Sequence, residues 1–265
     1  MPTASATVQV MIDAARKAAK QLIRDFGEVA ELQVSKKGAA DYVSAADLKA
    51  EQTLFELLSK ARPGYGFLAE ERGLVEGSDK THTFIVDPLD GTTNFLHSIP
   101  QFAINIALER DAQVVAAVTY NPVMNELFWA EKGKGAFLND RRLRVAARTR
   151  LIEAVLATGI PFAGRPGHAQ FLKELHQLTQ KISGVRRFGS AALDLAWTAA
   201  GRFDGYWERN LSAWDIAAGG LMITEAGGKI TTADGDEFDP RQGTVLASNL
   251  ELHPQIMELL QAAAG

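Results

Sequence analysis

The sequence contains no cysteine, and this absence excludes disulfide bonds, zinc-thiolate sites and thiol nucleophiles. It also lacks an uninterrupted apolar run of about 18 residues, which a membrane-spanning helix requires. The first residues show no basic stretch followed by an apolar run, so they do not resemble a secretory signal. Since 28 basic residues face 32 acidic ones, the net charge of -4 gives no general support for nucleic-acid binding. We therefore expect a cytoplasmic protein without membrane contact.

The apolar pattern divides the chain into two halves. Apolar residues three and four positions apart predict helices at about residues 8–26 and 45–60. Short β-rich runs follow as far as 143–146, joined by brief polar connections that are typical of antiparallel hairpins. Apolar strands then alternate with helical segments, which are expected near 167–182, 190–200, 213–226 and 253–263. The pattern predicts an α+β half at residues 1–147, with two helices on a largely antiparallel sheet. It predicts a layered α/β half at residues 148–265, packed tightly against the first.

The stretch FIVDPLDGTTNF, residues 84–95, places carboxylates at the end of an apolar strand. Pro88 fixes the backbone between Asp87 and Asp90, so both carboxylates and the Leu89 carbonyl oxygen are expected to converge on one point. Two carboxylates held this close repel each other unless a cation compensates. An all-oxygen ligand set favours a hard cation, Mg²⁺ above all, with Mn²⁺ as a substitute.

The residues after the second aspartate add an anion site. The backbone amides of Gly91, Thr92 and Thr93 open a short predicted helix, and together with the metal they indicate phosphate chemistry. A turn that caps a helix would explain one aspartate and one threonine, but not the second aspartate. The main alternative mechanism is a covalent aspartate nucleophile, as in haloacid-dehalogenase phosphatases, whose DxDGT motif is similar to LDGTT. Here the aspartates are three residues apart and proline occupies position 88, which favours metal-activated water.

Other acidic residues are candidates for the same site. Glu70 and Glu71 are predicted to lie at the end of a strand, where a solvated strand end explains them equally well. Asp215 falls in the first turn of a predicted helix, and a favourable interaction with the helix dipole would also explain it. Asp47 fits a capping box that begins at Ser44.

With these residues assembled, the chain resembles the inositol monophosphatase family. The family's DPxDGTTNF motif occurs at 87–95, its WDxAAGxxxxxEAGG motif occurs at 214–228, and the first glutamate of its GEE element matches Glu70. Residues 186–208 and 244–249 extend the match along nearly the whole chain. The resemblance implies a layered αβαβα sandwich of the type shared with fructose-1,6-bisphosphatase. It also implies a lithium-sensitive, Mg²⁺-dependent phosphomonoesterase with two or three metal ions, a homodimer whose substrate is a small phosphorylated polyol, inositol-1-phosphate.

The resemblance further implies a role for each matching residue. The two main metal ions are held by Glu70, Asp87, the Leu89 carbonyl, Asp90 and Asp215. Glu70 also touches a third, weaker metal, and the catalytic groups are completed by Thr92 and Asp47, which orient the attacking water. The residues expected to contact the substrate are Glu70, Leu89, Asp90, Gly91, Thr92, Gly189, Ser190, Ala191, Glu208 and Asp215.

Two short segments depart from the family pattern. The chain reads AEER at 69–72 and SAAD at 44–47, where the family commonly reads GEES and TATD. Ala46 supplies no hydroxyl to the network that orients water around Asp47. Arg72 is expected beside the acidic cluster, where its charge weakens the third metal site.

Other substrates and one other functional class remain open. The sequence GTTNF, rather than GTKEF, argues against 3′-phosphoadenosine 5′-phosphate, whereas fructose-1,6-bisphosphate and histidinol phosphate stay alternatives because small changes at 189–208 retune the pocket. A regulatory protein that binds RNA or transcription factors is the second class. The basic stretch at 139–150, with Arg186 and Arg187, supplies local positive surface, although a solvated hairpin edge is the favoured explanation of the stretch.

Overall fold

The computed structural model describes residues 3–28, 34–37 and 41–264. The helices of eight or more residues in this part of the chain are α1 (Ala6–Gly27), α2 (Ala45–Ala61), α4 (His168–Thr179), α5 (Ala191–Ala199), α6 (Ala213–Glu225) and α7 (Leu252–Ala264), and α3 (Thr92–Leu96) is a short one. The strands are β1 (Val34–Lys37), β2 (Asp41–Ser44), β3 (Gly66–Ala69), β4 (Gly73–Val75), β5 (His82–Asp90), β6 (Ala103–Arg110), β7 (Gln113–Asn121), β8 (Glu126–Glu131), β9 (Gly135–Leu138), β10 (Arg141–Arg142), β11 (Val155–Thr158), β12 (Gly184–Arg186), β13 (Gly205–Arg209), β14 (Lys229–Thr231) and β15 (Thr244–Ser248). Each predicted helix is present, with ends that differ by a few residues.

The first large sheet has eight strands in the order β10-β9-β8-β7-β6-β5-β3-β4. Every pairing in it is antiparallel except that of β3 with β5, so the largely antiparallel sheet is confirmed. Helices α1 and α2 cover one face. Their buried residues, such as Met11 and Leu54, form one apolar cluster with sheet residues such as Phe84 and Ile106.

The second large sheet has five strands in the order β12-β11-β13-β15-β14. One face packs against α4 and α7, where Trp207 and Leu246 share a cluster with Phe171 and Ile256. Helices α5 and α6 lie between the two sheets, and their apolar residues contact both. The resulting order is helix pair, sheet, helix pair, sheet, helix pair, which confirms the αβαβα sandwich.

The central helix layer joins the two halves of the chain through one core. Ile85 and Phe128 of the first sheet, Ile216 of α6, and Tyr206 of the second sheet belong to a single buried cluster. Residues from both sides of the expected boundary therefore pack together, and the division between residues 147 and 148 stays a prediction.

Three local features differ from the sequence prediction. The strand expected at 143–146 is wrong, because the Leu143 amide donates to Ala136 and the Val145 amide donates to Ala226, so no continuous ladder forms. The short strand β4 and the β1–β2 pair were not expected. Among the described residues, no helix combines the length and the apolar character needed to cross a membrane.

Candidate active site

A β-bulge brings the two aspartates of the first motif together. Strand β5 does not stop before Pro88 but continues to Asp90, and its register with β6 shifts between Asp87 and Asp90. Asp87 pairs with Asn105 and Asp90 pairs with Ala103, so three steps on β5 match two on β6. In a regular strand, residues three apart point to opposite faces, and one extra residue reverses this alternation. The bulge therefore lets both carboxylates serve one site.

Asp215 completes this cluster from the other half of the chain. It is the third residue of α6, and one carboxylate oxygen accepts a hydrogen bond from the Ser212 amide at 2.7 Å, in a capping box with the Ser212 side chain. Asp87, Asp90 and Asp215 each offer one oxygen, and these three oxygens lie within 4.8 Å of one another. Asp215 therefore both caps α6 and belongs to the aspartate cluster.

Glu70 and Asp47 lie close to the same cluster. Glu70 directly follows β3, at the predicted strand end, and lines the cavity described below. Asp47 lies in the first turn of α2 and is buried. The charges of both residues raise the pKa of Asp87, although burial contributes more. The capping role expected for the Ser44 side chain lies outside the described side chains.

Burial and like charge both disfavour ionised carboxylates in the cluster. Burial raises the pKa of Asp87 and Asp215 well above the usual range, and neighbouring carboxylates raise both further. Burial also raises the pKa of Asp90, to about 6. Within the described residues, no arginine or lysine lies within ion-pair distance of these three aspartates. A buried group of carboxylate oxygens without an internal cation fits a hard divalent metal ion.

The turn after Asp90 depends on one glycine. Gly91 has a φ of 94°, in the left-handed region, and a Cβ added there would come within 2.8 Å of the Gln101 carbonyl oxygen. Both its conformation and its surroundings therefore require glycine. Helix α3 begins directly after it, as predicted, and the Thr92 hydroxyl donates to the Leu89 carbonyl oxygen at 3.0 Å.

Asp90 connects the first motif to the opposite wall of the site. Its Oδ2 accepts hydrogen bonds from the Ser190 hydroxyl and, at 2.9 Å, from the Ala192 amide. Ser190 is also the N-cap of α5, so this helix begins at the acidic cluster. The hydrogen bonds offset part of the effect that burial has on the Asp90 pKa.

Most of the predicted site residues line one cavity of about 440 Å³. Of the residues expected from the sequence, it is lined by Glu70, Asp90, Gly91, Thr92, Gly189, Ser190, Ala191, Glu208 and Asp215. Asp47, Asp87 and Leu89 do not line it and are almost fully buried. The volume suits a small molecule.

Two buried asparagines that the sequence analysis missed tie the motifs to each other. The Asn94 side chain donates to the Phe188 carbonyl oxygen at 2.7 Å, next to Gly189 in the cavity wall. The Asn105 side chain donates to the Trp214 carbonyl oxygen at 2.7 Å, next to Asp215. The position of Asn94 inside the DGTTN string was a signal for the first contact, whereas Asn105 lies in an ordinary strand sequence and gave none.

Arg72 contacts α2, the helix that also carries Asp47. Its guanidinium lies 3.5 Å from Glu51 and 4.2 Å from the centre of the Phe55 ring, and it donates to Gln52. All three partners belong to α2, so Arg72 packs on that helix. Glu51 also accepts from the Glu71 amide at 2.9 Å, and this fixes the turn that carries Glu70.

Comparison with known proteins places these residues in a family. The family model described as "Inositol monophosphatase family" matches residues 4–264. The chain belongs to the inositol monophosphatase family. It is 73% identical to an inositol-1-monophosphatase of Caulobacter vibrioides, over 96% of this chain and 100% of that protein. It is 39% identical to the Nus factor SuhB of Pseudomonas aeruginosa, over 96% of this chain and 95% of that protein.

The fold agrees with solved structures of inositol monophosphatase relatives. The crystal structure of the extragenic suppressor protein suhB from Bartonella henselae superposes with a TM-score of 0.94, at 55% identity, over 97% of this chain and 99% of that chain. As a member of the inositol monophosphatase family with such relatives, the protein is a phosphomonoesterase. Its substrate is a phosphate ester, and its buried aspartates form a group that could hold metal.

Proposed function

We propose that the protein is a Mg²⁺-dependent phosphatase that hydrolyses inositol-1-phosphate to inositol and phosphate. The observation that carries this proposal is the group of three aspartates from β5 and α6, whose oxygens lie within 4.8 Å of one another. Asp90 and Asp215 of this group line the same cavity as Glu208, which supplies a second wall. The name of the Caulobacter vibrioides relative supports the choice of substrate.

The acidic cluster would hold two or three Mg²⁺ ions, with Mn²⁺ as a substitute. We assign the two main ions to Glu70, Asp87, the Leu89 carbonyl, Asp90 and Asp215. When bound, such ions lower the pKa of a coordinated water and screen the charge of the phosphate. The repulsion among the buried aspartates supports this assignment, since a divalent cation relieves it.

The residues around the cluster would bind the phosphate and prepare the water. We assign the phosphate oxygens to the backbone amides of Gly91 and Thr92, at the turn that only glycine permits. Because the Thr92 hydroxyl donates to the Leu89 carbonyl, its oxygen is fixed as an acceptor for a water proton. Asp47 is the second acceptor that we assign to this water. The water would lose a proton as its oxygen bonds to phosphorus, and the alkoxide oxygen would take up a proton from solvent as its bond to phosphorus breaks, which releases alcohol and phosphate.

The opposite wall would hold the polyol. Gly189, Ser190 and Ala191 form the start of α5, and Glu208 lies on β13. Glu208 is an acceptor when ionised, so it is suited to the hydroxyl groups of a polyol. Burial raises its pKa to about 7.

Phosphate release from a substrate panel tests the proposal. The panel contains inositol-1-phosphate, fructose-1,6-bisphosphate, histidinol phosphate and 3′-phosphoadenosine 5′-phosphate, each measured with Mg²⁺, with Mn²⁺ and with EDTA. We expect the highest kcat/KM for inositol-1-phosphate and no turnover in EDTA. A higher kcat/KM for another member would overturn the substrate, and turnover in EDTA would overturn the metal dependence.

The oligomeric state and the cellular location also belong to this proposal. We propose a homodimer, as the family resemblance implies, in the cytoplasm. Light scattering coupled to size-exclusion chromatography should give twice the mass of the chain at micromolar concentration. A single-chain mass would contradict the dimer without affecting the phosphatase assignment.

A regulatory role is the second candidate, and one observation favours it. Arg141 and Arg142 are both exposed on β10, the edge strand of the first sheet, and a relative carries the name Nus factor SuhB. We infer that this edge could bind RNA or a transcription factor. The variant with Arg141→Glu and Arg142→Glu should lose binding to single-stranded RNA in fluorescence anisotropy and keep its phosphatase activity.

The matched control for this variant is Arg16→Glu with Lys17→Glu, an exposed basic pair on α1. If both variants lose RNA binding equally, the binding reflects overall charge alone and the edge strand has no special role. If RNA does not bind the unaltered protein at all, the same comparison with purified RNA polymerase decides whether a regulatory role exists.

A further inference from the structure

Glu208 is held from within its own strand. It lies on β13 two residues after Tyr206, so both side chains point to the same face of the sheet. The Tyr206 hydroxyl donates to the Glu208 Oε2 at 2.5 Å. Tyr206 is fully buried in the core between the two sheets, so its ring is packed on all sides.

The Tyr206 hydroxyl is a donor at any pH at which the protein works. Burial raises the pKa of Tyr206 well above 10, and the neighbouring Glu208 charge raises it further. The phenol therefore stays protonated and donates a hydrogen bond to Glu208. The other lone pairs of the carboxylate remain available to a ligand.

Gly159 confines Glu208 from the neighbouring strand. It directly follows β11, which pairs with β13, and the Glu208 carboxylate lies directly against its Cα. A Cβ added to Gly159 would come within 1.8 Å of the Glu208 Oε1 and within 2.3 Å of the Oε2. The φ of Gly159 lies outside the left-handed region, so space, and not backbone conformation, requires glycine here.

We propose that Tyr206 and Gly159 are positioning residues that hold the Glu208 carboxylate for the hydroxyl groups of the substrate. This inference rests on the proposed function, because it assumes a polyol ester as the substrate. It assigns the discrimination between hydroxylated and plain phosphate esters to three residues, two on β13 and one directly after the neighbouring strand β11. The metal cluster, by contrast, treats both kinds of ester alike.

The first test compares two substrates on Tyr206→Phe. Inositol-1-phosphate carries hydroxyl groups and phenyl phosphate carries none. We expect the KM for inositol-1-phosphate to rise about tenfold with kcat nearly unchanged, since one hydrogen bond to a charged acceptor is lost. The kcat/KM for phenyl phosphate should stay within about twofold. The control is Tyr120→Phe, which removes the hydroxyl of another buried tyrosine that bonds Asn125 and not Glu208.

The second test uses the coupling between Tyr206 and Glu208. In a Glu208→Gln background, Tyr206→Phe should cause little further loss for inositol-1-phosphate, because the two residues act as one unit. Gly159→Ala should show the same split between substrates with a larger effect, about a hundredfold in kcat/KM, since the carboxylate must move. Gly27→Ala is its control, because a Cβ at Gly27 meets nothing within 4 Å.

These outcomes separate the inference from the proposed function. If the unaltered protein releases phosphate from no hydroxylated ester, the proposed function and this inference both fail. If another hydroxylated ester of the panel is the better substrate, the same variants are compared on that ester, and the inference stands or falls on the result. If the variants slow both esters equally, or if losses at Tyr206 and Glu208 simply add, the proposed function survives and the positioning role is overturned.

Discussion

Two sets of carboxylates in the interior of this protein differ in their partners. Asp204 and Asp87 are each 2% exposed. Asp204 accepts from Arg148 at 3.0 Å and from the Val155 amide at 2.8 Å, and Glu109 and Glu174 likewise have arginine partners. Asp87 is surrounded by other carboxylates. Burial alone therefore does not mark a functional acid, whereas the identity of its neighbours does.

The difference has an energetic meaning. A buried carboxylate that is paired with an arginine offsets its loss of hydration by a direct charge interaction. A carboxylate that faces other carboxylates has no such compensation, so it lowers the stability of the fold until a cation arrives. We infer that the three clustered aspartates, Asp87, Asp90 and Asp215, bind a cation. The three carboxylates with arginine partners, Asp204, Glu109 and Glu174, stabilise the fold.

The largest effect is expected from Asp90→Asn. We predict that turnover of inositol-1-phosphate falls by about two to four orders of magnitude, because one metal-binding charge is lost. In EDTA, at about pH 8, the melting temperature should equal or exceed that of the unaltered protein, since a charge with a raised pKa no longer has to be buried. The rise in melting temperature that Mg²⁺ produces should be much smaller.

Asp140→Asn serves as the control for Asp90→Asn, because Asp140 is an exposed carboxylate in the turn between β9 and β10. It should leave both turnover and the Mg²⁺-dependent rise unchanged. Turnover at the parental rate in Asp90→Asn would show that the aspartate cluster is not the metal site.

The same substitution in the scaffold should have the opposite effect on stability. We predict that Asp204→Asn lowers the free energy of unfolding by about 2 kcal/mol, because the buried hydrogen-bonded charge is lost; the exposure of Arg148 keeps the effect below that of a fully buried pair. The activity per folded molecule should be retained, because Asp204 does not line the cavity. Urea unfolding measures the change in stability, and phosphate release measures the activity per folded molecule. An unchanged urea midpoint would contradict the distinction between the two sets.

The sequence predicts much of this arrangement because its strongest signals are local. The three- and four-residue spacing of apolar residues marks α1 and α2, and the DPLDGTTN string marks the ligand-rich turn. Helix α3 directly after Gly91 and the start of α6 just before Asp215 follow from turn and capping residues that are visible in the chain itself.

Two of the missed features depend on contacts between separate elements of the structure. The bulge between Asp87 and Asp90 exists only in the pairing of β5 with β6, and no spacing within β5 predicts it. The 143–146 segment has strand-like residues, but its amides bond to two separate elements, so the predicted strand does not form. The order of the layers came from the family resemblance, since periodicity does not specify which sheet face a helix covers.

Asp194 sharpens the comparison because it belongs to neither set. It lies on α5, it is 1% exposed, and its Oδ1 has no hydrogen-bond partner within the described structure. Burial raises its pKa well above the usual range, and the charges of Glu208 and Asp90 raise it further, while Arg187 lowers it. A raised pKa in the folded state means that this side chain favours folding below the pKa of the unfolded chain, about 4, and opposes it increasingly as the pH rises.

Asp194→Asn should therefore stabilise the protein in a pH-dependent manner, by about 1 kcal/mol near pH 8 and by almost nothing near pH 4. This corresponds to a rise in melting temperature of about 2–4 °C at the higher pH. Thermal unfolding in EDTA over this pH range measures the difference between the variant and the unaltered protein. A constant difference would mean that Asp194 is ionised in the folded state, with Arg187 as its counter-charge, and would move it into the paired set. A difference that grows with pH would show that a buried carboxylate can persist here without arginine or metal by keeping its proton.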